Sequence, residues 1–203
     1  DARLIALDAR TGEQVWETAV ADNTQGFENS SGPIVADGRV ILGLAGCARY
    51  IKDDCYISAH DANTGELAWR FNTIAKANEP GGDTWGELDD IFRAGGETWI
   101  TGSYDPDLKL TYWGTAQQKP WVPVSRHLTI NDEGLFTNST VAVNIDDGTL
   151  NWHGFQWTKL GSLGEFQWQI TMPMEIWTSM SVCITMERRA CPKTCCSTTM
   201  VQA

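Results

Sequence analysis

Short apolar runs, each closed by a glycine, an Asn-Asp or an Asp-Pro turn, set the rhythm of this chain. Gly38-Arg39-Val40-Ile41-Leu42-Gly43, Trp99-Ile100-Thr101-Gly102-Ser103-Tyr104 and Leu110-Thr111-Tyr112-Trp113-Gly114 have the length and side-chain character of strands, and the residues between them favour chain reversal. The opening Asp1-Ala2-Arg3-Leu4-Ile5-Ala6 is strand-like as well. Helix is expected to be scarce. Over 75–97, Glu79-Pro80-Gly81-Gly82-Asp83 marks an excursion loop, the kind of segment that carries binding surface.

Three segments repeat one frame, Ala-x-Asp/Asn-x-x-x-Gly-x-x-x-Trp: Ala6 to Trp16, Ala59 to Trp69 and Ala142 to Trp152. The Asp or Asn side chain can bond backbone amides at the turn, and the glycine supplies a positive φ where the chain reverses. The tryptophan then starts the returning strand, where its large surface is suited to locking one sheet against the next. Recurrence at these intervals, the second stretched by insertions, predicts an all-β fold: a partial β-propeller of four-stranded blades with tryptophan-docking repeats. Residues 1–153 are expected to form the propeller repeats.

Composition narrows the partners. With 15 Lys+Arg against 26 Asp+Glu the net charge is −11 over 203 residues, which argues against nucleic acid, since phosphate recognition needs clustered cations. No stretch reaches the roughly 18 apolar residues of a membrane span. Ten Trp and 19 Gly agree with sheet and turn rather than helical bundle. The chain opens without an initiating Met or a leader and is expected to lack its true N-terminus. Two cysteines eight apart, Cys47 and Cys55, suit an oxidising compartment.

After His153 the composition changes. All five Met, four of the six Cys and no Asp fall in 154–203, which is expected to be an atypical tail, frameshifted or disordered. Cys191, Cys195 and Cys196 lack Cys-x-x-Cys spacing and no His accompanies them, so unstructured thiols are expected rather than zinc. His60, His127 and His153 are dispersed and read as structural, as does Trp85 in Gly82-Asp83-Thr84-Trp85-Gly86. No Gly-x-Ser-x-Gly, phosphate loop or dinucleotide fingerprint occurs, which leaves hydrolase, kinase and nicotinamide readings without support.

Together with the repeats, Gly95-Gly96-Glu97-Thr98-Trp99, Tyr104-Asp105-Pro106 and Tyr112-Trp113-Gly114-Thr115-Ala116-Gln117 resemble the quinoprotein alcohol dehydrogenases. These use pyrroloquinoline quinone and calcium to oxidise alcohols. The resemblance implies an eight-bladed ring, of which this chain would supply about three blades. It places the indole of Trp99, with Thr98 beside it, against the quinone, and gives the hydroxyls of Ser30 and Ser31 a cofactor carboxylate to bond. A calcium ligand, an Asn in the family, falls on Gln117. The family's Gly-Ala-Glu ligand falls on Gly46-Cys47-Ala48-Arg49, where the carboxylate is absent and Arg49 would repel a cation. Cys47 and Cys55 either close this altered loop as a disulfide or remain two buried thiols; the extracytoplasmic setting implied by the family favours the bridge. The general-base Asp that the family carries just beyond the third repeat has no counterpart, so the catalytic base is unknown in this chain.

The resemblance therefore implies a fragment of a periplasmic dehydrogenase acting on an alcohol or sugar, with a cytochrome as electron acceptor, inactive as the isolated chain. The alternative is a non-catalytic propeller scaffold that binds protein partners on its faces.

Overall fold

The structure, a computed structural model, describes residues 2–47, 55–129, 131–157 and 167–171. Eleven strands and four short 3-10 turns account for its regular elements, with no α-helix among the described residues. Strands β1 (Arg3–Leu7) and β2 (Gln14–Ala19) form a hairpin. A four-stranded antiparallel sheet follows: β3 (Ile34–Ala36), β4 (Arg39–Gly43), β5 (Tyr56–Asp61) and β6 (Leu67–Asn72). The third sheet runs in order through β7 (Ser103–Asp105), β8 (Leu110–Gly114), β9 (Ser139–Asn144), β10 (Leu150–Trp157) and β11 (Gln167–Thr171). These are the propeller blades expected from the repeats. No helix among the described residues is long and apolar enough to cross a membrane.

Each repeat is one hairpin, built the same way. Asp8 Oδ1 accepts from the amides of Arg10 and Thr11, both at 2.9 Å, and Asp61 Oδ1 accepts from Asn63 and Thr64 at 2.9 and 3.1 Å. Gly12, Gly65 and Gly148 take φ of 75°, 76° and 76°. The alanine of the frame has a role too. Ala6, Ala59 and Ala142 lie directly across the ladder from Trp16, Trp69 and Trp152, with a register shift adjoining each pair. A small residue opposite the indole leaves it room to leave its own hairpin and reach the next sheet.

That reach makes the core. Trp69 extends to the turn of the third sheet, where its Nε1 donates to Ile145 O at 2.8 Å. Around it pack Ile41, Ile57 and Ala59 from one sheet and Trp113, Val141, Val143 and Ile145 from the other. Trp16 makes the corresponding contact between the first two sheets, donating to Ala62 O at 3.1 Å beside Leu4, Val40 and Leu42. Burying an indole removes roughly 150–250 Å² from water, which at about 25 cal/mol per Å² amounts to several kcal/mol at the Trp69 seam. It amounts to less at the Trp16 seam, where the indole is only partly buried.

Three differences from the sequence reading stand out. The strand expected from Trp99 begins only at Ser103, because 99–101 turns its polar groups toward the Ser30–Gly32 segment instead of pairing along the sheet. The loop 75–97 is anchored rather than open. Trp85 is fully buried with its Nε1 on Leu135 O at 2.6 Å, and buried Arg93 donates to the carbonyls of Leu88 and Ala75. Sheet pairing also crosses residue 153, since β10 continues to Trp157 and β11 pairs with it. The rest of 154–203, including Cys191, Cys195 and Cys196, lies outside the described residues, as does Arg49.

Candidate functional site

The site is organised by an irregular strip, residues 95–101, that leaves the anchored loop and crosses the ends of β4 and β8. Two consecutive left-handed glycines start it, Gly95 at φ 111° and Gly96 at φ 67°. Both are required by close approach: a Cβ on Gly95 would lie 2.3 Å from Gln117 O, and one on Gly96 would lie 2.9 Å from Thr73 Oγ1. The Gly95 amide donates to Cys47 O at 3.2 Å, and the Ala116 amide donates to Glu97 O at 2.8 Å. The strip is thereby fixed between the cysteine loop on one side and the Gly114-Thr115-Ala116-Gln117 turn on the other.

Thr98 is fully buried and exchanges two bonds with Leu44, its amide donating to Leu44 O and its Oγ1 accepting from Leu44 N, each at 2.9 Å. Gly43 must be glycine here, since a Cβ would lie 1.8 Å from Thr98 Oγ1. Thr98 therefore holds the strip from below. The next residue behaves differently: the Trp99 side chain is 58% exposed, with Trp99 O accepting from Ser30 Oγ at 3.5 Å. Two residues on, Thr101 Oγ1 donates to Gly32 O at 3.0 Å. The Ser30–Gly32 segment is thus laid along the strip, with Ser31 between its two points of attachment.

Three buried oxygens around this strip have no partner among the described residues: Ser31 Oγ, Asn29 Oδ1 and Glu97 Oε2. Asn29 is held by its other side-chain atom, Nδ2, on Gly43 O at 2.8 Å. Glu97 is 4% exposed and receives Lys119 Nζ on Oε1 at 2.5 Å. Buried polar atoms are normally satisfied, so a cluster of orphans beside an exposed indole marks a place built to receive polar groups from elsewhere. The Glu97 and Lys119 pair leaves no net charge there.

The residues singled out in the sequence are therefore brought to one place. Trp99, Thr98, Ser30 and Ser31 share the strip, Gln117 flanks Gly95 with an exposed side chain, and Cys47 is joined to Gly95 through its carbonyl. Cys47 and Cys55 form a disulfide across a Cα separation of 5.5 Å. Glu97, Lys119 and Asn29 were not singled out. Glu97 stands at a variable position inside the Gly-Gly-x-x-Trp motif, and nothing along the chain ties it to Lys119. The only signal was its spacing of two residues from Trp99.

The histidines take no part. His60 is buried with Nδ1 on Gly65 O at 3.0 Å and Nε2 on Ser58 Oγ at 3.2 Å, and desolvation pushes it below its ordinary range. His153 is lowered by the same cause and packs edge-on to Phe136.

A flat aromatic group bearing carboxylates fits this arrangement, with the Trp99 face beneath it and the Ser31 hydroxyl as a donor at its rim. Calcium takes about six to eight oxygens, of which Gln117 could offer one through its amide, and no group of three His, Cys, Asp or Glu is gathered among the described residues.

Comparison with known proteins bears on this site. Residues 1–162 match a protein family described as glucose/ethanol/alcohol dehydrogenase, beta-propeller domain. A quinoprotein alcohol dehydrogenase of Pseudomonas putida is 36% identical over 170 residues, 75% of this chain and 27% of that protein. The dehydrogenase subunit of the alcohol dehydrogenase (quinone) of Gluconobacter oxydans is 33% identical over 199 residues, 88% of this chain and 25% of that one. Among solved structures, a quinohemoprotein alcohol dehydrogenase from Pseudomonas putida HK5 superposes with a TM-score of 0.67 at 29% identity, over 84% of this chain and 28% of its own. A europium-containing methanol dehydrogenase gives a TM-score of 0.65 at 28% identity, over 75% and 29%. The chain spans about a quarter of the length of these curated relatives.

Proposed function

Because the chain belongs to the glucose/ethanol/alcohol dehydrogenase β-propeller family, we propose that the strip 95–101 is part of the floor on which a quinoprotein dehydrogenase holds pyrroloquinoline quinone. The observation that carries this reading is Trp99, a tryptophan left 58% exposed on a backbone whose neighbours are otherwise fixed. An indole in water costs free energy unless something flat covers it.

When bound, this cofactor supplies a two-electron acceptor for an alcohol or sugar carbon. The contribution of this chain is to bind and orient it. Trp99 sets the plane, Thr98 and Gly43 hold Trp99 at its height, and Ser31, with Ser30 beside it, donates to a carboxylate at the edge. Lys119 cancels the charge of Glu97, so that a buried carboxylate does not repel an anionic ligand. No Asp occurs after Asp147, so the residue that accepts the alcohol proton is not supplied by this chain. Calcium, implied by the family resemblance, belongs to the same proposal, with Gln117 as the ligand that this chain would supply. Residues 1–153 carry the propeller repeats, and the third sheet continues beyond them through the end of β10 and β11. Electron transfer onward to a cytochrome and an oxidising, periplasmic setting belong to the same proposal, the latter supported by the Cys47 and Cys55 bridge.

The test is titration of the chain with pyrroloquinoline quinone, with and without calcium, following tryptophan fluorescence in wild type, Trp99→Phe and Ser31→Ala. Saturable, calcium-dependent quenching, with most of it lost in Trp99→Phe and affinity weakened about 5- to 10-fold in Ser31→Ala, is expected. Absence of saturable quenching in wild type contradicts the cofactor floor and leaves a non-catalytic scaffold as the function of the repeats.

A further inference from the structure

Both parts of the floor hang from one short segment, residues 43–47. On one side Leu44 exchanges its two bonds with Thr98, and Cys47 O accepts from the Gly95 amide, which together hold the Trp99 strip. On the other side Ala45 donates to Glu28 O at 2.8 Å and its own carbonyl accepts from the Glu28 amide at 3.1 Å. Asn29 Nδ2 donates to Gly43 O at 2.8 Å. These bonds hold the stretch that leads into Ser30 and Ser31.

The supporting segment has left the sheet. The ladder between β4 and β5 ends at the pair of Gly43 and Ile57. Beyond it the Cys47 and Cys55 disulfide joins the two strands across 5.5 Å between Cα atoms, both cysteines buried beside Phe27, Leu44 and Tyr56. Cys55 is fixed in turn from the β6 side: its carbonyl accepts from the Thr73 amide at 3.0 Å, and Thr73 Oγ1 donates to Gly96 O at 2.7 Å. The two halves of the bridge therefore reach the two left-handed glycines that start the strip, Cys47 directly at Gly95 and Cys55 through Thr73 at Gly96. Paired glycines restrict the backbone least, so their course is set by what surrounds them.

We propose that the Cys47 and Cys55 bridge is the brace that positions the Trp99 strip for its ligand, so that the site is formed tightly in the bridged chain and loosely in the unbridged one. This rests on reading 95–101 as a cofactor floor and adds what keeps that floor in place. Both sulfurs are buried, and the bridge acts through the backbone bonds it holds. Opening it leaves the ladder up to Gly43 and the Trp69 seam as they are, and frees residues 44–47 together with the strip and the serine stretch that they carry. A covalent closure restrains the residues near it, and here those residues are the supports of the floor.

Amide hydrogen exchange of the full chain tests it, in a background carrying Cys183→Ser, Cys191→Ser, Cys195→Ser and Cys196→Ser so that only this pair can bridge. The bridged protein is compared with its Cys47→Ala, Cys55→Ala double variant and with the same protein reduced by a dithiol. The dithiol supplies two electrons and two protons, turns the sulfur–sulfur bond into two thiols and becomes a disulfide itself. Without the bridge the amides of Ala45, Gly95 and Thr98 are expected to exchange about 10-fold faster, those of β8 and β9 at unchanged rates, and reoxidation to restore the protection. Pyrroloquinoline quinone added with calcium is expected to bind about 10-fold more weakly to both unbridged forms. Ala45, Gly95 and Thr98 amides that stay as protected without the bridge overturn the proposal. So does exchange that quickens equally in β8 and β9, which makes the bridge a staple of the whole fold, or equal cofactor affinity with and without it. A bridged protein that binds no cofactor overturns the floor instead, and the exchange at Gly95 and Thr98 still decides whether the bridge braces the strip.

Discussion

The seam around Trp69 and the strip around Trp99 place the same side chain in opposite situations. Both indoles follow a glycine, by four residues at Gly65 and by three at Gly96. Trp69 is 7% exposed, its ring covers Gly148 and its Nε1 is bonded. Trp99 is 58% exposed, its backbone is held by Thr98 below and Ser30 beside it, and buried oxygens nearby lack partners. One region is complete as it stands, and its side chains answer to stability. The other is rigid in its backbone and unfinished in its side chains, which is what a binding floor requires.

The comparison is broken most strongly at the seam. Trp69→Ala is expected to cost about 3–5 kcal/mol in urea unfolding, through the lost burial and the orphaned Ile145 carbonyl. If the cost were below about 1 kcal/mol, the seam would not hold the sheets together. Next in size is Lys119→Met, which leaves Glu97 buried without its cation. A full buried-pair loss is about 3–5 kcal/mol, and about 2 kcal/mol is expected here because Lys119 reaches solvent. Glu97→Gln in the same background should restore most of the loss, a rescue that a merely steric role of Lys119 would not show.

A smaller effect separates buried from exposed groups by pH. Desolvation holds His60 and His153 below their ordinary value of 6.5. Lowered folded-state values mean that their contribution is present above pH 6.5 and is lost as pH falls below it, because the unfolded chain takes up the protons. Unfolding midpoints measured from pH 7.5 to 5 should therefore fall toward acid, and His60→Asn should flatten that slope. The smallest effect is expected at Trp99→Phe, less than about 0.5 kcal/mol in ligand-free stability, since an exposed ring supports little packing.

Much of the scaffold could be read along the chain. Asp8, Asp61 and their glycines act at the turns as their residue types require, and Trp16 and Trp69 lock the sheets. What a repeat cannot convey is partnership across long separations. The pairing of Ala59 with Trp69 shows why alanine recurs in the frame, but only the ladder displays it. The strand expected to begin at Trp99 begins at Ser103, because Thr101 and Trp99 bond the Ser30–Gly32 segment, a partner 69 positions away in sequence. Glu97 and Lys119 are invisible for the same reason, since neither charge carries a local signature. Trp99 itself was legible only through the family resemblance. Among ten tryptophans, nothing local distinguishes a floor from a seam.

The most direct measurement compares the thermal midpoints of wild type and Trp99→Phe with and without saturating pyrroloquinoline quinone. A ligand that binds only the folded chain raises the midpoint in proportion to its affinity, by about 2.7 kcal/mol of stability at a hundredfold excess over the dissociation constant. A clear rise in wild type, little rise in Trp99→Phe and equal midpoints without ligand are the expected result. An equal rise in both proteins, or a ligand-free midpoint lowered by Trp99→Phe as far as by Trp69→Phe, would contradict the assignment of Trp99 to the floor.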